Sequence, residues 1–289
     1  MLMSEKKAAT KKSSLISILV NICLGTAQII LGLFSGSQGL VADGIHSLSD
    51  MFSDFVVLVA NQHSHKDPDH DHPYGHQRYE TAASLFIGVS LIAVGVGMLW
   101  NVITSLLEPD MTRQVKWIAL WVALGSLVIK EGLFQYMIYV AKKVKSSMLA
   151  ANSWHARSDA ASSLVVALGI IGALYGYPLF DTIAALVVGL IIVKMGWGFA
   201  LEAFHDLMDR SLSDDMEKKI ISIILATPGV KGCHDLKTRK TGDMILVDAH
   251  IEVDAKLTLQ EGHDIGVNAR NAVMQAMPVL NVMTHIDPV

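Results

Sequence analysis

Apolar residues in the first two thirds of the chain are grouped in six long runs. They cover roughly residues 14–36, 40–62, 81–107, 115–141, 148–175 and 180–203. A run of about 20 apolar residues is long enough to cross a bilayer as a helix. Short breaks containing glycine or proline, such as residues 35–37 and 176–178, separate neighbouring runs. The pattern predicts six transmembrane helices, and an even number places both chain ends on the same side.

After about residue 205 the pattern becomes that of a small soluble domain. Helical spacing of apolar positions predicts helices over 214–226, with Ser213 as its N-cap, and 259–277, and alternation predicts strands over 230–238, 244–253 and 280–286. The order αββαβ indicates an α+β domain of the ferredoxin or metallochaperone type. We therefore predict three parts. They are an N-terminal segment (1–13), a six-helix transmembrane domain (14–205) and a C-terminal α+β domain (206–289).

Composition agrees with a membrane protein. Of 289 residues, 52% are hydrophobic and only 17% are charged, whereas soluble domains carry about 25% charged residues. The net charge of −4 gives no support to a nucleic-acid partner, which would need a basic surface. Cys23 and Cys233 lie far apart in different kinds of segment, so a disulfide framework is not predicted.

The distribution of basic residues predicts the orientation. One side of the membrane would carry Lys6, Lys7, Lys11, Lys12, Lys66, Arg78, Lys142, Lys143 and Lys145. The other side would carry only Arg113 and Lys116. Lysine and arginine accumulate in short loops on the cytoplasmic side. We therefore expect both termini to be cytoplasmic and the protein to lie in the cell membrane, most simply a bacterial inner membrane.

Ionisable residues recur within two of the predicted spans. The second span carries Asp43, His46, Asp50 and Asp54, and the fifth carries Asn152, His155, Asp159 and Ser162. Each set has offsets of three and four and so shares one helical face. Because charges in a membrane are costly, they indicate function. Two histidines and two aspartates suit a tetrahedral Zn²⁺ site, although a polar seam between helices is an alternative.

Three further sets of polar residues are candidates for other roles. Lys130 and Glu131, in the fourth span, are interpreted as an ion pair or as cavity lining, without a ligand role. The loop over residues 63–80 is rich in histidine and aspartate, which is typical of metal binding but also of a solvated loop. The tail carries His234, His250, His263, His285 and Asp287. These are metal ligands or ordinary surface residues.

At these residues the sequence resembles the cation diffusion facilitator family of divalent-metal/proton antiporters. The likeness covers the chain after about its first ten residues. It is most specific at residues 42–50, at 72–76 with Glu80, and at 155–159. In the tail, residues 232–236, His250 and residues 285–288 also look like the cytoplasmic domain of the family.

The resemblance implies three metal sites and a homodimer. The transport site would be His46, Asp50, His155 and Asp159. The loop site would be Asp69, His72 and His76, and the tail would hold a two-ion cluster on His234, His250, His263, His285 and Asp287. Tails of family members pair, and a basic residue after the loop site forms an ion pair with an acid after the sixth span. Here those residues look like Arg78 and Asp209.

The sequence therefore predicts a transporter, not an enzyme, that exports Zn²⁺ from the cytoplasm in exchange for protons. It would need no organic cofactor. Histidine at position 46 is similar to the zinc-selective branch of the family, since imidazole suits Zn²⁺. Broader efflux of Fe²⁺, Cd²⁺, Co²⁺, Ni²⁺ or Mn²⁺ is the first alternative. An intramembrane metallohydrolase would need an open coordination position and lacks an HExxH motif, and a passive metal channel or sensor is the third alternative.

Overall fold

The transmembrane part of the chain consists of long helices. The computed structural model describes residues 2–64, 66–107, 114–143 and 147–289, excluding the side chains of residues 2–14, 147–152 and 155. Within these ranges the long helices are α1 (Leu2–Ser35), α2 (Gln38–Ser64), α3 (Arg78–Leu107), α4 (Trp117–Lys143), α5 (Ser147–Leu174) and α6 (Leu179–Leu207). Each of the six predicted apolar runs lies in one of them, with three of the runs extending one or two residues past a helix end. Helix α1 begins at Leu2 and not near residue 14, so the basic segment continues the first helix.

Helix α2 differs from the other five in composition. In the described part of the chain, five helices are long and apolar enough to cross a membrane, and they belong to α1, α3, α4, α5 and α6. Helix α2 is of similar length, at 27 residues, but Asp43, Asp50 and Asp54 lie in it. Asp43 and Asp50, which are buried or partly buried, must be satisfied inside the protein, because a lipid environment would leave them without partners.

The C-terminal part has the predicted αββαβ order. Its elements are α7 (Asp214–Leu225), β1 (Gly232–Thr241), β2 (Met244–Val253), α8 (Leu259–Ala276) and β3 (Val279–Pro288). Strand β2 lies in the centre of a three-stranded sheet, antiparallel to β1 and parallel to β3. Ile220, Ile224, Val247, Ile251 and Val273 belong to a buried core that comes entirely from this part of the chain. The domain therefore has its own hydrophobic core, as a unit able to fold independently requires.

Internal contacts divide the chain into two compact units. One comprises Met1–Phe55 and Val89–Trp197, and the other comprises Val56–Gly88 and Gly198–Val289. The first unit contains most of the helical bundle, in which α4 packs against α5 and α1. The second contains the α+β domain together with the segment that links α2 to α3.

Helix α8 begins with a capping box. The hydroxyl of Thr258 accepts a hydrogen bond from the Glu261 backbone N–H, and the Glu261 carboxylate accepts one from the Thr258 backbone N–H at 2.8 Å. We expect Thr258→Ala to lower the unfolding free energy of the isolated domain by about 1 kcal/mol, as for other lost N-caps. Urea denaturation of residues 206–289 measures it. Ser213→Ala is the matched control, because Ser213 at the N-cap of α7 makes no side-chain capping bond, and an equal loss in both variants would contradict the prediction.

Candidate metal sites

Among the described residues, a histidine and two aspartates from α2 and α5 come together inside the helical bundle. The Nδ1 atom of His46 lies 3.5 Å from Asp50 Oδ2, and its Nε2 atom lies 3.9 Å from Asp159 Oδ1. One ligand atom from each residue lies within 4.8 Å of the others. We call these three residues the membrane group. The fourth predicted member, His155, lies in α5, but its side chain is outside the described part of the structure.

The ligand atoms of the membrane group lie near enough to one another to hold one ion. Ligand atoms that each lie about 2.0 Å from a tetrahedral Zn²⁺ are about 3.3 Å apart. In the membrane group, one ligand atom from each residue lies within 4.8 Å of the other two, so a small closure of the side chains would bring them to these separations. His46 is 4% exposed, whereas Asp50 and Asp159 are partly buried. Two carboxylates in this low-dielectric setting can neutralise a divalent cation, so the arrangement suits a first-row divalent metal.

A glycine lets α1 and α2 approach each other closely beside the membrane group. A Cβ atom added at Gly44 would lie 2.7 Å from Ile29 Cγ1 and 2.8 Å from the carbonyl oxygen of Gly25. Both distances are too short for ordinary van der Waals contact. The absence of a side chain at Gly44 therefore allows α2 to pack tightly on α1 half a turn from His46.

The predicted loop residues Asp69, His72 and His76 form a second group of close ligand atoms, which we call the loop group. Asp69 Oδ1 lies 3.3 Å from His72 Nδ1, and Asp69 Oδ2 lies 3.2 Å from His76 Nε2. The backbone N–H of His72 donates to the Asp69 carboxylate, and this bond lowers the pKa of Asp69. His76 is buried, with its ring stacked on Tyr79 at 5.8 Å between centroids. The loop thus holds an ionised carboxylate between two imidazoles, which is a usable set of metal ligands.

The sheet places the tail residues in one row. His234 on β1 is the register partner of His250 on β2, which is the partner of His285 on β3. Asp287 Oδ2 lies 2.9 Å from His250 Nδ1 and 3.3 Å from His234 Nε2, and the hydrogen bond from His250 lowers the pKa of Asp287. His234, His250 and Asp287 form the third group of close ligand atoms, which we call the tail group.

The other two predicted tail residues are placed differently. His285 packs on His250 at 4.6 Å between ring centroids, and its Nε2 atom lies 3.4 Å from Asp287 Oδ1. His263 is an exposed residue of α8 and is not a member of the group formed by the described side chains. The structure therefore brings together four of the five residues predicted for the tail.

The predicted ion pair is present, with one additional partner. Arg78 Nη2 lies 2.6 Å from Asp209 Oδ1, and Arg239 Nη1 on β1 lies 3.5 Å from Asp209 Oδ2. Asp209 follows α6 in the left-handed region, with φ of 56°. No sequence pattern indicated Arg239, because its partner is 30 residues away in a different element.

Of the two interpretations of Lys130 and Glu131, the ion pair between them is wrong. The Lys130 ammonium lies 3.2 Å from Asp43 Oδ1, whereas Glu131 accepts a hydrogen bond from Gln135 Nε2 at 2.8 Å. Neighbouring residues in a helix point about 100° apart, so Lys130 and Glu131 face different surroundings. Asp43, one turn before His46, is therefore the buried partner of Lys130.

A membrane-helix bundle with an internal His–Asp group, joined to a histidine-bearing α+β domain, defines a metal-transporting membrane protein. The family comparison agrees: the cation efflux transmembrane domain matches residues 14–208, and the cytoplasmic domain of cation efflux proteins matches residues 212–289. The chain belongs to the cation efflux family, also called cation diffusion facilitators. Efflux of divalent metal ions is the activity that membership supports.

The chain is similar in sequence to two relatives and, over its C-terminal part, to one solved structure. Metal tolerance protein C1 of Arabidopsis thaliana is 33% identical over 94% of this chain and 61% of its own length. The manganese efflux system protein MneP of Bacillus subtilis is 31% identical over 99% of this chain and 98% of its own. A solved cadmium form of the MamM CTD is 22% identical, covering 26% of this chain and 96% of that one, with a TM-score of 0.26.

Proposed function

We propose that this protein is a zinc/proton antiporter that exports Zn²⁺ from the cytoplasm. The observation that carries the proposal is the membrane group, in which an imidazole and two carboxylates meet between α2 and α5. His155, one turn before Asp159 on α5, would complete a tetrahedral set of four ligands. Four protein ligands leave no open coordination position, which argues against an intramembrane hydrolase.

Coupling to protons follows from the chemistry of the ligands. A metal ion binds to neutral histidine and ionised aspartate, so binding releases protons and protonation releases the metal. Histidine titrates near neutral pH with an unperturbed pKa of about 6.5, which makes His46 and His155 the proton carriers. Alternating access of this site to the two sides of the membrane would then exchange Zn²⁺ for protons.

The preference for zinc rests on His46. Imidazole nitrogen suits Zn²⁺, whereas Mn²⁺ favours carboxylate and water oxygens. The similarity to a protein named for manganese efflux makes efflux of several divalent ions the specific alternative. In either case the transported ion is the substrate, and no organic cofactor is proposed.

We further propose the arrangement in which the transporter works. Residues 1–13 would be a cytoplasmic segment, 14–205 the transmembrane domain of a cell-membrane protein, and 206–289 a cytoplasmic domain that pairs in a homodimer. The Arg78–Asp209 pair, at 2.6 Å, would tie the end of α6 to the start of α3. The loop and tail groups would bind further ions that stabilise or regulate the dimer.

Transport by the full-length protein in sealed liposomes tests the proposal. An imposed zinc gradient should drive proton movement in the opposite direction, and a proton gradient should drive zinc uptake. A pH-sensitive dye and a zinc-sensitive dye report the two fluxes. Zinc flux without proton movement would indicate a passive channel, and faster movement of Mn²⁺ than of Zn²⁺ would favour the broader alternative.

The tail group predicts zinc-dependent stability of the α+β domain. A ligand at 100 times its Kd stabilises the folded state by about 2.7 kcal/mol, which raises the Tm of an 84-residue domain by on the order of 10 °C. We expect this rise in isolated residues 206–289 and its loss in His234→Ala/His250→Ala. Calorimetry should also show that the double variant binds fewer zinc ions per domain than the wild-type domain. Asp248→Ala changes an exposed carboxylate on β2 and should keep the wild-type response, and an unchanged Tm shift in the double variant would refute the assignment.

A further inference from the structure

A buried polar network surrounds Asp43 in the helical bundle. Its carboxylate is 1% exposed and the paired Lys130 is 2% exposed. Lys130 Nζ lies 3.2 and 3.3 Å from the two carboxylate oxygens and donates to Ser163 Oγ at 2.7 Å. Ser163 Oγ donates to Asp43 Oδ2 at 2.6 Å, and Gln28 Nε2 also donates to this oxygen. The network therefore joins α1, α2, α4 and α5 around one carboxylate.

This network lies next to the membrane group along both ligand-bearing helices. Asp43 precedes His46 by three residues on α2, which places both on one face. On α5, Ser162 donates to the backbone carbonyl of Asp159 at 2.8 Å, and the Oγ atom of Ser163, which donates to Asp43, lies 3.2 Å from the same carbonyl. Residues three or four apart in a helix have Cβ atoms about 5–6 Å apart. Asp43 is thus a third carboxylate, one helical turn from the proposed ligand His46.

The partners of Asp43 occupy both of its oxygen atoms. Oδ1 faces Lys130 and Ser162, and Oδ2 faces Lys130, Ser163 and Gln28. The ammonium group supplies a full positive charge, so Asp43 and Lys130 form a neutral pair. Replacing a buried ion pair by apolar residues is often neutral or stabilising, so overall stability does not by itself explain why this pair is present.

We propose that Lys130 is a specificity-determining residue that holds Asp43 out of the coordination shell of the transported ion. The inference rests on the proposed function, because it assumes that the membrane group binds that ion. With Lys130 in place, the ion meets only the membrane group and His155. Without the ammonium, the Asp43 carboxylate loses its counter-charge and keeps only neutral hydrogen-bond donors, so it can turn toward the ion and add oxygen and negative charge. Such a site favours Mn²⁺ more than Zn²⁺.

Competing transport of Zn²⁺ and Mn²⁺ by the full-length protein in liposomes tests the inference. In Lys130→Gln, we expect the ratio of kcat/KM for Zn²⁺ to that for Mn²⁺ to fall about tenfold, within the range seen for residues behind a ligand shell. The KM for both ions should fall because the site gains negative charge. The kcat for Zn²⁺ should also fall, since a more tightly held ion leaves more slowly.

The double variant Asp43→Asn/Lys130→Gln separates this role from a structural one. It removes the withheld ligand together with its counter-charge, so the Zn²⁺/Mn²⁺ ratio should return to the wild-type value. Lys130→Arg keeps the positive charge and should also keep the ratio. Glu131→Gln is the matched control for a neighbouring charge outside the network, and its ratio should not change.

Two outcomes would overturn the inference. One is an unchanged Zn²⁺/Mn²⁺ ratio in folded Lys130→Gln, and the other is a shifted ratio that the double variant fails to restore. If Lys130→Gln does not fold, Asp43→Asn supplies the test: it should raise the KM of both ions without changing their ratio, and a changed ratio there rejects the inference. The proposed function fails separately, if the wild-type protein does not exchange zinc for protons.

Discussion

Replacing Asp159 with asparagine should reduce zinc transport by on the order of 100-fold or more, since changes merely behind a ligand shell already cost 10–100-fold. The amide keeps the size of the side chain while removing one of the two negative charges of the membrane group. Asp159 is the residue of α5 that lies 3.9 Å from His46 Nε2, so its replacement would also weaken the link between α2 and α5 at the ion. Asp50→Asn should have an equally large effect from the α2 side.

The measurement is zinc uptake by proteoliposomes containing equal amounts of folded protein. Size-exclusion chromatography should show that the variants keep the oligomeric state of the wild type, because Asp50 and Asp159 are only partly buried. Asp54→Asn is the matched control, since Asp54 is an exposed aspartate one turn beyond Asp50 and outside the membrane group. Transport near the wild-type rate in Asp50→Asn or Asp159→Asn would reject the proposed site.

The sequence predicts the helices well, because apolar runs and alternation report directly on burial. All six helices and the αββαβ order follow from these patterns. The start of α1 could not be predicted from these patterns, because Leu2 to about residue 13 are helical but their sequence has no apolar face with helical spacing. Ser213 lies at the predicted N-cap position of α7 but makes no side-chain capping bond, because a suitable residue type does not ensure that its side chain bonds to the helix end.

The candidate sites are predictable to different extents. Spacing within one helix identifies His46 with Asp50, and the resemblance to the family supplies the loop and tail residues. The partner of Lys130 was not predictable, because Asp43 is 87 residues away and only the folded arrangement of the helices brings the two side chains together. His263 was predicted as a ligand from its residue type and the family resemblance, but α8 places it on an exposed surface.

Replacing His46 with aspartate should change which ions are transported. The variant exchanges an imidazole nitrogen for a carboxylate oxygen at a residue that lies within 3.9 Å of both aspartates. Because Mn²⁺ favours oxygen ligands more than Zn²⁺ does, we expect the Zn²⁺/Mn²⁺ transport ratio to fall by about 10–100-fold, at least the effect of a change behind the ligand shell. Competition assays in proteoliposomes measure the ratio, and the same assay with Cd²⁺ shows whether discrimination weakens generally.

His46→Asn offers an oxygen without the charge and should shift the ratio less. If His46→Asp leaves the ratio unchanged, selectivity lies outside the membrane group, and the zinc preference proposed from His46 is wrong.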